Sequence, residues 1–437
     1  MPLHDDEMNK RREKREAQRR KQEAEAKRLK LTLAIAAVVL VLCGVGLYLI
    51  TRSVAGSGTD QPEETVRQTE ATAAPTEAAS RIPQTTLTTI HIKAAGDLNV
   101  TNSVIQAGLA ASGYDYTRAF MDVSSTLADA DLTVLNFEGN VCGEPYGTST
   151  TSAPRELLEG LRNAGVDLLQ TANSCSINNG LIGLTSTLQS IRAAGLEPVG
   201  SYATLSEFDS SKGYTIATVQ GIKVAFVAFT KGVGGMGMPA GNEKLVNLLY
   251  TDYATTYKKI DTEGITQLLK NVEAEKPDIT IALLHWGSEY NDDISSSQNS
   301  IISLMKKRGV DVIIGTHPHT LQPIDYDQVA GTLVAYSLGD FFGDAERGGT
   351  NYSIVLDIEI TKDSASGVAK VTDYSYTPIY TVKEDECDGY RRVVRIDEAI
   401  EAYENNYLDK VTQTAYENMA YALTRIEARL AMPEEED

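Results

Sequence analysis

Ile279-Thr280-Ile281-Ala282-Leu283-Leu284-His285 and Val310-Asp311-Val312-Ile313-Ile314-Gly315-Thr316-His317-Pro318-His319 are the two stretches that decide the fold. Each is an apolar run that ends abruptly in chemically capable side chains, and residues 297–307 between them have helical spacing. Strand, helix, strand, with the strands apolar throughout, predicts a βαβ unit in a sheet covered on both faces. Ligands of such sheets sit beyond the carboxyl ends of the strands. Three of the chain's five histidines fall there. His317 and His319 are two residues apart, so in an extended segment both imidazoles face the same way.

The same alternation continues on either side. Apolar runs at 89–92, 132–135, 166–169, 224–229 and 333–336 alternate with helically spaced stretches at 155–164, 184–194 and 256–274, which predicts an α/β domain. After Phe342 the pattern changes. Residues 352–360 alternate as a half-exposed strand and 368–382 suggest further strands, an antiparallel addition to one domain spanning 87–385. Residues 386–437 read as a tail, helical from about Arg395 to Leu430.

The other end of the chain is of a different kind. Residues 1–30 carry eleven Lys or Arg against seven Asp or Glu, and residues 31–50 carry no charge at all. An apolar run of that length spans a bilayer core of about 30 Å as a helix. The basic flank places the N-terminus in the cytoplasm, predicting a single-pass anchor in the cell membrane with the main domain extracytoplasmic. Residues 53–86, rich in Thr, Ala, Ser, Glu and Pro, cannot bury a core and are expected to be a disordered stalk. The first thirty residues are net +4, so with −20 over the whole chain the remainder carries −24. Such an acidic domain excludes nucleic acid as a passive electrostatic partner, and an anionic substrate requires a metal or a local basic pocket. Cys142, Cys175 and Cys387 are an odd and sparse set that predicts no disulfide framework.

Most predicted strands end in polar residues. Gly96-Asp97, Asn136-Phe137-Glu138-Gly139, Thr171-Ala172-Asn173-Ser174-Cys175, His285-Trp286-Gly287, Gly315 to His319 and Ser337-Leu338-Gly339-Asp340 collect carboxylates, amides and imidazoles at one sheet edge. That mixture suits one or two divalent ions such as Mn, Fe or Zn, and the chemistry expected of such a pair is hydrolysis.

These residues carry a resemblance. Ala95-Gly96-Asp97, Asn136-Phe137-Glu138, His285-Trp286-Gly287-Ser288-Glu289-Tyr290, Gly315-Thr316-His317-Pro318-His319-Thr320-Leu321-Gln322 and Tyr336-Ser337-Leu338-Gly339-Asp340-Phe341 resemble, in order, the motifs of the bacterial capsule synthesis protein CapA family. The resemblance covers about residues 88–345. It implies a metallophosphoesterase-like sandwich of two β-sheets flanked by helices, with an N-terminal transmembrane helix and a role in synthesis or export of poly-γ-glutamate or a similar polymer. It also implies that Asp97, Glu138, His285, His317 and His319 are metal ligands. Trp286 and Gly287 would shape the site, and Glu289, Gln322 and Asp340 would lie around it, Glu289 and Gln322 orienting ligands. Implied partners are the membrane, an anionic envelope polymer or its precursor, and polymer synthase or export subunits.

One motif departs from the family's pattern. Where the family reads Ala-Asn-Asn-His-x-x-Asp-x-Gly, this chain reads Ala172-Asn173-Ser174-Cys175-Ser176-Ile177-Asn178-Asn179-Gly180, and Asp340 stands where the family has Asn. Ser174 is a shorter, poorer neutral ligand than an asparagine. Cys175, with a reference pKa of about 8.5, cannot become the cation that a histidine acid supplies. Asn173 takes over as ligand only if the chain bends there, and Cys175 is either a thiolate ligand or a buried inert thiol. Two functions follow from the resemblance: a metal-dependent hydrolase, or a catalytically weakened scaffold or polymer-binding subunit.

Overall fold

The structure is a computed structural model that describes residues 86–407 and 411–433. The expected cytoplasmic segment 1–30, the anchor 31–50 and all but the last residue of the stalk 53–86 lie outside the described residues. Among the described residues, no helix is long and apolar enough to cross a membrane.

Among the described residues, fourteen strands build two sheets. They are Leu87–Asn99 (β1), Leu132–Glu138 (β2), Leu168–Gln170 (β3), Glu197–Val199 (β4), Thr215–Val219 (β5), Ile222–Thr230 (β6), Ile279–His285 (β7), Val312–Thr316 (β8), Leu321–Asp327 (β9), Thr332–Leu338 (β10), Asp340–Phe342 (β11), Tyr352–Asp363 (β12), Ala369–Val382 (β13) and Arg392–Arg395 (β14). The first sheet has the order β14-β13-β12-β1-β2-β3-β4, with β11 pairing in parallel beside β1. Its β1-to-β4 half is parallel and its β12-to-β14 half antiparallel. The second sheet has the order β5-β6-β7-β8-β10-β9, parallel from β6 to β10 with an antiparallel strand at each edge.

Side-chain alternation explains why these are two covered sheets. Along β6, Val224, Phe226 and Ala228 enter the core between the sheets, while Ala225, Val227 and Phe229 pack outward with helix residues Ile265, Leu269, Ile301 and Met305. Along β1, Ile90, Ile92 and Ala94 face inward, and Leu98 packs with Phe120 and Leu157 of the helices Thr117–Ala128 and Glu156–Asn163. A helix-flanked α/β sandwich results, as the resemblance implies; the apolar runs predict the α/β alternation but gather the polar strand ends at one sheet edge, whereas the structure draws them from two sheets.

Several elements differ from expectation. The helix expected over 256–274 begins at Thr262, because Asp261 caps it by accepting from the Gly264 N–H and Asp252 ties the preceding chain into turns at Lys258 and Lys259. The segment 386–437 opens with β14, paired to β13, and then forms two helices, Ile396–Glu404 and Gln413–Leu430. Two strands, β5 and β9, lie at sheet edges. There β5 has no fully buried residue and β9 contains Pro323, so neither shows an apolar run.

Candidate metal centre

The carboxyl ends of the two sheets' parallel strands meet. Glu138, the last residue of β2, places Oε1 2.9 Å from Nε2 of His285, the last residue of β7. Asp97 of β1 accepts the His317 N–H at 3.0 Å and lies 3.2 Å from His319 Nδ1. Ligand atoms of Asp97, Glu138 and His319, and of Glu138, His285 and His317, lie within 4.8 Å of one another in each trio. All five side chains are buried.

Local backbone makes this convergence possible. The β1–β2 register shifts between Ala95 and Asp97, and a Cβ on the intervening Gly96 would sit 1.8 Å from the Gly339 carbonyl oxygen, which accepts the Asp97 N–H at 2.9 Å. A Cβ on Gly315 would fall 1.9 Å from the Tyr336 carbonyl oxygen and 2.5 Å from the Trp286 indole nitrogen. The histidine pair does not face one way by strand alternation. β8 stops at Thr316, and His317 and His319 have φ of 91° and 59°, the left-handed region that non-glycine residues seldom occupy. This turn stacks His317 against His285, ring centroids 4.4 Å apart, and sends His319 to the carboxylates of Asp97 and Asp340.

Neighbouring amides and hydroxyls orient the cluster. Asn136 donates to Asp97 Oδ1 at 2.7 Å and to Glu138 Oε1 at 3.0 Å. Thr230 Oγ1 lies 3.1 Å from His285 Nδ1. Asp340, on β11, lies 2.9 Å from His319 Nδ1 and accepts from Asn99 at 2.8 Å. Such partners fix the ring orientation of a ligating imidazole. Sequence reasoning passed over Asn99, Thr230 and Lys231 as site residues. Their signal was position, since β1 ends at Asn99 and β6 at Thr230.

Charge in the cluster is shared. Burial works against ionisation of Glu138, yet His285, His319 and His317 hold its carboxyl well below the usual range. His319 is likewise opposed by burial but is raised by Asp340, Asp97 and Glu138. Burial, His285 and Lys231 push His317 well down, which favours its neutral form. Its Nδ1 is buried without a hydrogen-bond partner among the described residues. An orphaned lone pair or N–H amid carboxylates and imidazoles is what a divalent cation would explain, and the donor set fits Mn, Fe or Zn.

The remaining candidates divide. Trp286 is fully buried and donates to the Tyr336 carbonyl at 2.9 Å. Gly287 turns the chain with φ of 71°. Glu289 is exposed but close enough to His317 and His319 to form a third trio with them. The Gln322 amide is spent elsewhere, donating to the Asn291 and Asp293 carbonyls and accepting from Gln298, so it anchors the 288–295 loop. Asn173 donates to Asn136 Oδ1 and the Phe137 carbonyl while accepting from the Cys175 N–H, which joins β2 to the chain after β3. Ser174, not Asn173, turns toward the cluster, with Oγ 3.3 Å from Glu138 Oε2. Burial and the Glu138 charge push the Cys175 thiol up to about 12, leaving it neutral. Beside the cluster lies a cleft of about 460 Å³ bordered by Ser174, Lys231, Tyr257, Glu289 and His317.

The chain is similar to several known proteins. The family described as bacterial capsule synthesis protein PGA_cap matches residues 91–345. The PGA biosynthesis protein CapA of Bacillus subtilis (strain 168) is 29% identical over 233 residues, 53% of this chain and 57% of that one. The capsule biosynthesis protein CapA of Bacillus anthracis is 29% identical over 242 residues, 53% of this chain and 54% of that one. This chain thus spans about half the length of the curated relatives it matches. A crystal structure of the calcineurin-like phosphoesterase YfkN from Bacillus subtilis is similar over 67% of this chain and 91% of its own, at 18% identity and a TM-score of 0.41. With the family match covering more than half of its 437 residues, the chain belongs to the bacterial capsule synthesis protein PGA_cap family.

Proposed function

We propose that this chain is a membrane-anchored, extracytoplasmic accessory protein in the synthesis or export of a capsule or poly-γ-glutamate-type polymer, with a metal site of hydrolase type. The observation that carries the reading is the convergence of Asp97, Glu138, His285, His317 and His319 from two sheets onto one point. These five would hold one or two divalent ions, Mn, Fe or Zn. When bound, such an ion polarises a substrate oxygen and lowers the pKa of a bound water toward neutrality.

The chain's own residues do the rest. Asn136 holds both carboxylates, Thr230 fixes the His285 ring, and Asp340 with Asn99 fixes His319. The uncharged run 31–50 supports the anchor, and the composition of 53–86 supports a stalk that carries domain 87–385 off the membrane, with 386–437 completing it. The polymer or its precursor and the synthase or export subunits are the partners this placement favours.

A second reading, a scaffold or polymer-binding subunit with weakened catalysis, is favoured by one observation. Ser174 occupies the position facing Glu138, and the adjoining Cys175 thiol is neutral. Metal analysis of the purified full chain, with phosphoester and γ-glutamyl-polymer hydrolysis assays, separates the two. Bound metal with turnover abolished by His317→Ala supports the hydrolase. Bound metal without turnover supports the scaffold, and no bound metal after reconstitution overturns both as metal-site readings.

A further inference from the structure

The domain is acidic, and an anionic substrate approaching it meets repulsion unless the site supplies local positive charge. Lys231, immediately after β6, stands where that charge is needed. Its backbone N–H donates to the His285 carbonyl at 2.8 Å. Its ammonium donates to the Gly287 carbonyl at 2.6 Å, stands 3.4 Å from His317 Nε2 and rests 4.9 Å from the Tyr257 ring centroid. Among the described residues the carboxylate that acts on it is the exposed Glu289, which forms no ion pair with it within 4 Å. Among the described residues it is also the one Lys or Arg bordering the cleft shared with Ser174, Glu289 and His317.

An ammonium has three donors and no acceptor. Gly287 takes one and His317 Nε2, at 3.4 Å, is within reach of a second, which leaves a half-buried cation with donor capacity to spare and only the exposed Glu289 carboxylate acting on it from the cleft edge, an arrangement that an incoming anion would complete. A purely structural lysine, there to hold the Gly287 carbonyl, would need only that single bond, and a glutamine could replace it.

We propose that Lys231 is the anion-binding residue of this site, holding an oxyanion of the substrate, a carboxylate or phosphate oxygen, in the cleft beside His317. The proposal deepens the polymer-handling reading and rests on it for the substrate class, while the ammonium's geometry stands apart from metal loading. Lys231 positions substrate; it is not one of the proposed metal ligands.

The test measures binding of two probes, inorganic phosphate and a γ-linked glutamate oligomer, to the full chain by titration calorimetry over a range of salt. Lys231→Gln is compared with Lys270→Gln, which removes the same charge from an exposed position on the helix Thr262–Ala274. Lys231→Gln is expected to weaken at least one probe roughly tenfold and flatten its salt dependence, with Lys231→Arg closer to wild type. The probe that binds more tightly identifies the source of the oxyanion. Should Lys231→Gln fail to fold, amine-reactive footprinting of the wild-type chain replaces it, and either probe is expected to slow labelling of Lys231 but not of Lys270. Equal binding by both glutamine variants, or no selective protection of Lys231, would overturn the proposal. Metal content measured in parallel keeps the readings apart. Lys231-dependent binding in a metal-free protein leaves this inference standing while the metal reading falls, and a metal-loaded protein indifferent to Lys231 does the reverse.

Discussion

His317 and His319 hold left-handed backbone on either side of Pro318, a conformation costing of order 1–3 kcal/mol per residue that persists only where its surroundings enforce it. Part of that enforcement is Gly315, over which the Trp286 indole lies on its way to the Tyr336 carbonyl. Gly315→Ala is expected to destabilise the domain by roughly 2–4 kcal/mol, read as a lower denaturation midpoint, since the added carbon meets backbone that cannot yield. The double variant Ser174→Asn, Cys175→His is expected to raise hydrolysis by about 10²-fold or more by restoring an amide toward Glu138 and a group that can carry a proton. Unchanged turnover would place the catalytic deficit elsewhere. The sequence made the identity of Asp97, Glu138 and the three histidines legible because each ends an apolar run. It did not show how the histidine pair converges, because strand alternation implies an extended segment and the chain instead turns after Thr316. Nor did it show that Asn173 is consumed in bonds to Asn136 and Phe137, since an amide's partners depend on which strand lies alongside.

Among the elements, four parallel strands share a device at their amino ends. Asp131, Asp167, Asp278 and Asp311 each precede a strand, and each carboxylate accepts a backbone N–H from the neighbouring strand, at His91, Thr133, Lys223 and Thr280 respectively. They peg the register at the end of the sheets opposite the site. Burial raises the Asp311 carboxyl to about 6 from 3.8 despite the Thr280 N–H. An unfolded chain then releases this proton at lower pH than the folded one, so the group's contribution to stability falls as pH rises from about 4 to about 6 and is level above that. Denaturation across that range should show a slope worth about 1–3 kcal/mol in the wild type that Asp311→Asn lacks. Helix Ser296–Lys307 offers a simpler case, a capping box in which Ser295 and Gln298 exchange bonds. Ser295→Ala should cost about 1 kcal/mol in an equilibrium unfolding experiment, and because Gln298 also donates to Gln322, the loop after Gly287 should exchange its amide hydrogens faster. Long apolar strands were legible in sequence, whereas the edge strands β5 and β9 were not, because β5 is short with no fully buried residue and Gln322 and Pro323 interrupt the apolar pattern of β9.

At the scale of the whole molecule, the proposed anchor predicts a fractionation result. The full chain should sediment with membranes, and a chain lacking residues 1–52 should be released to the soluble fraction, as read by immunoblot after alkaline extraction. The α/β class was legible from alternation alone, but the division of strands between two sheets was not, because nothing local distinguishes a strand that pairs with β1 from one that pairs with β7. That division has a consequence for order of assembly. Asp97 and Glu138 belong to one sheet, while His285 ends a strand of the other and the His317–His319 turn leaves its neighbour. Neither half holds the complete donor set, so the full site would exist only once the sandwich has closed. A ligand held there at a hundred times its dissociation constant would oppose reopening by about 2.7 kcal/mol, adding a latch at the rim to the apolar faces and the polar contacts, such as Glu138 to His285, that already join the slabs.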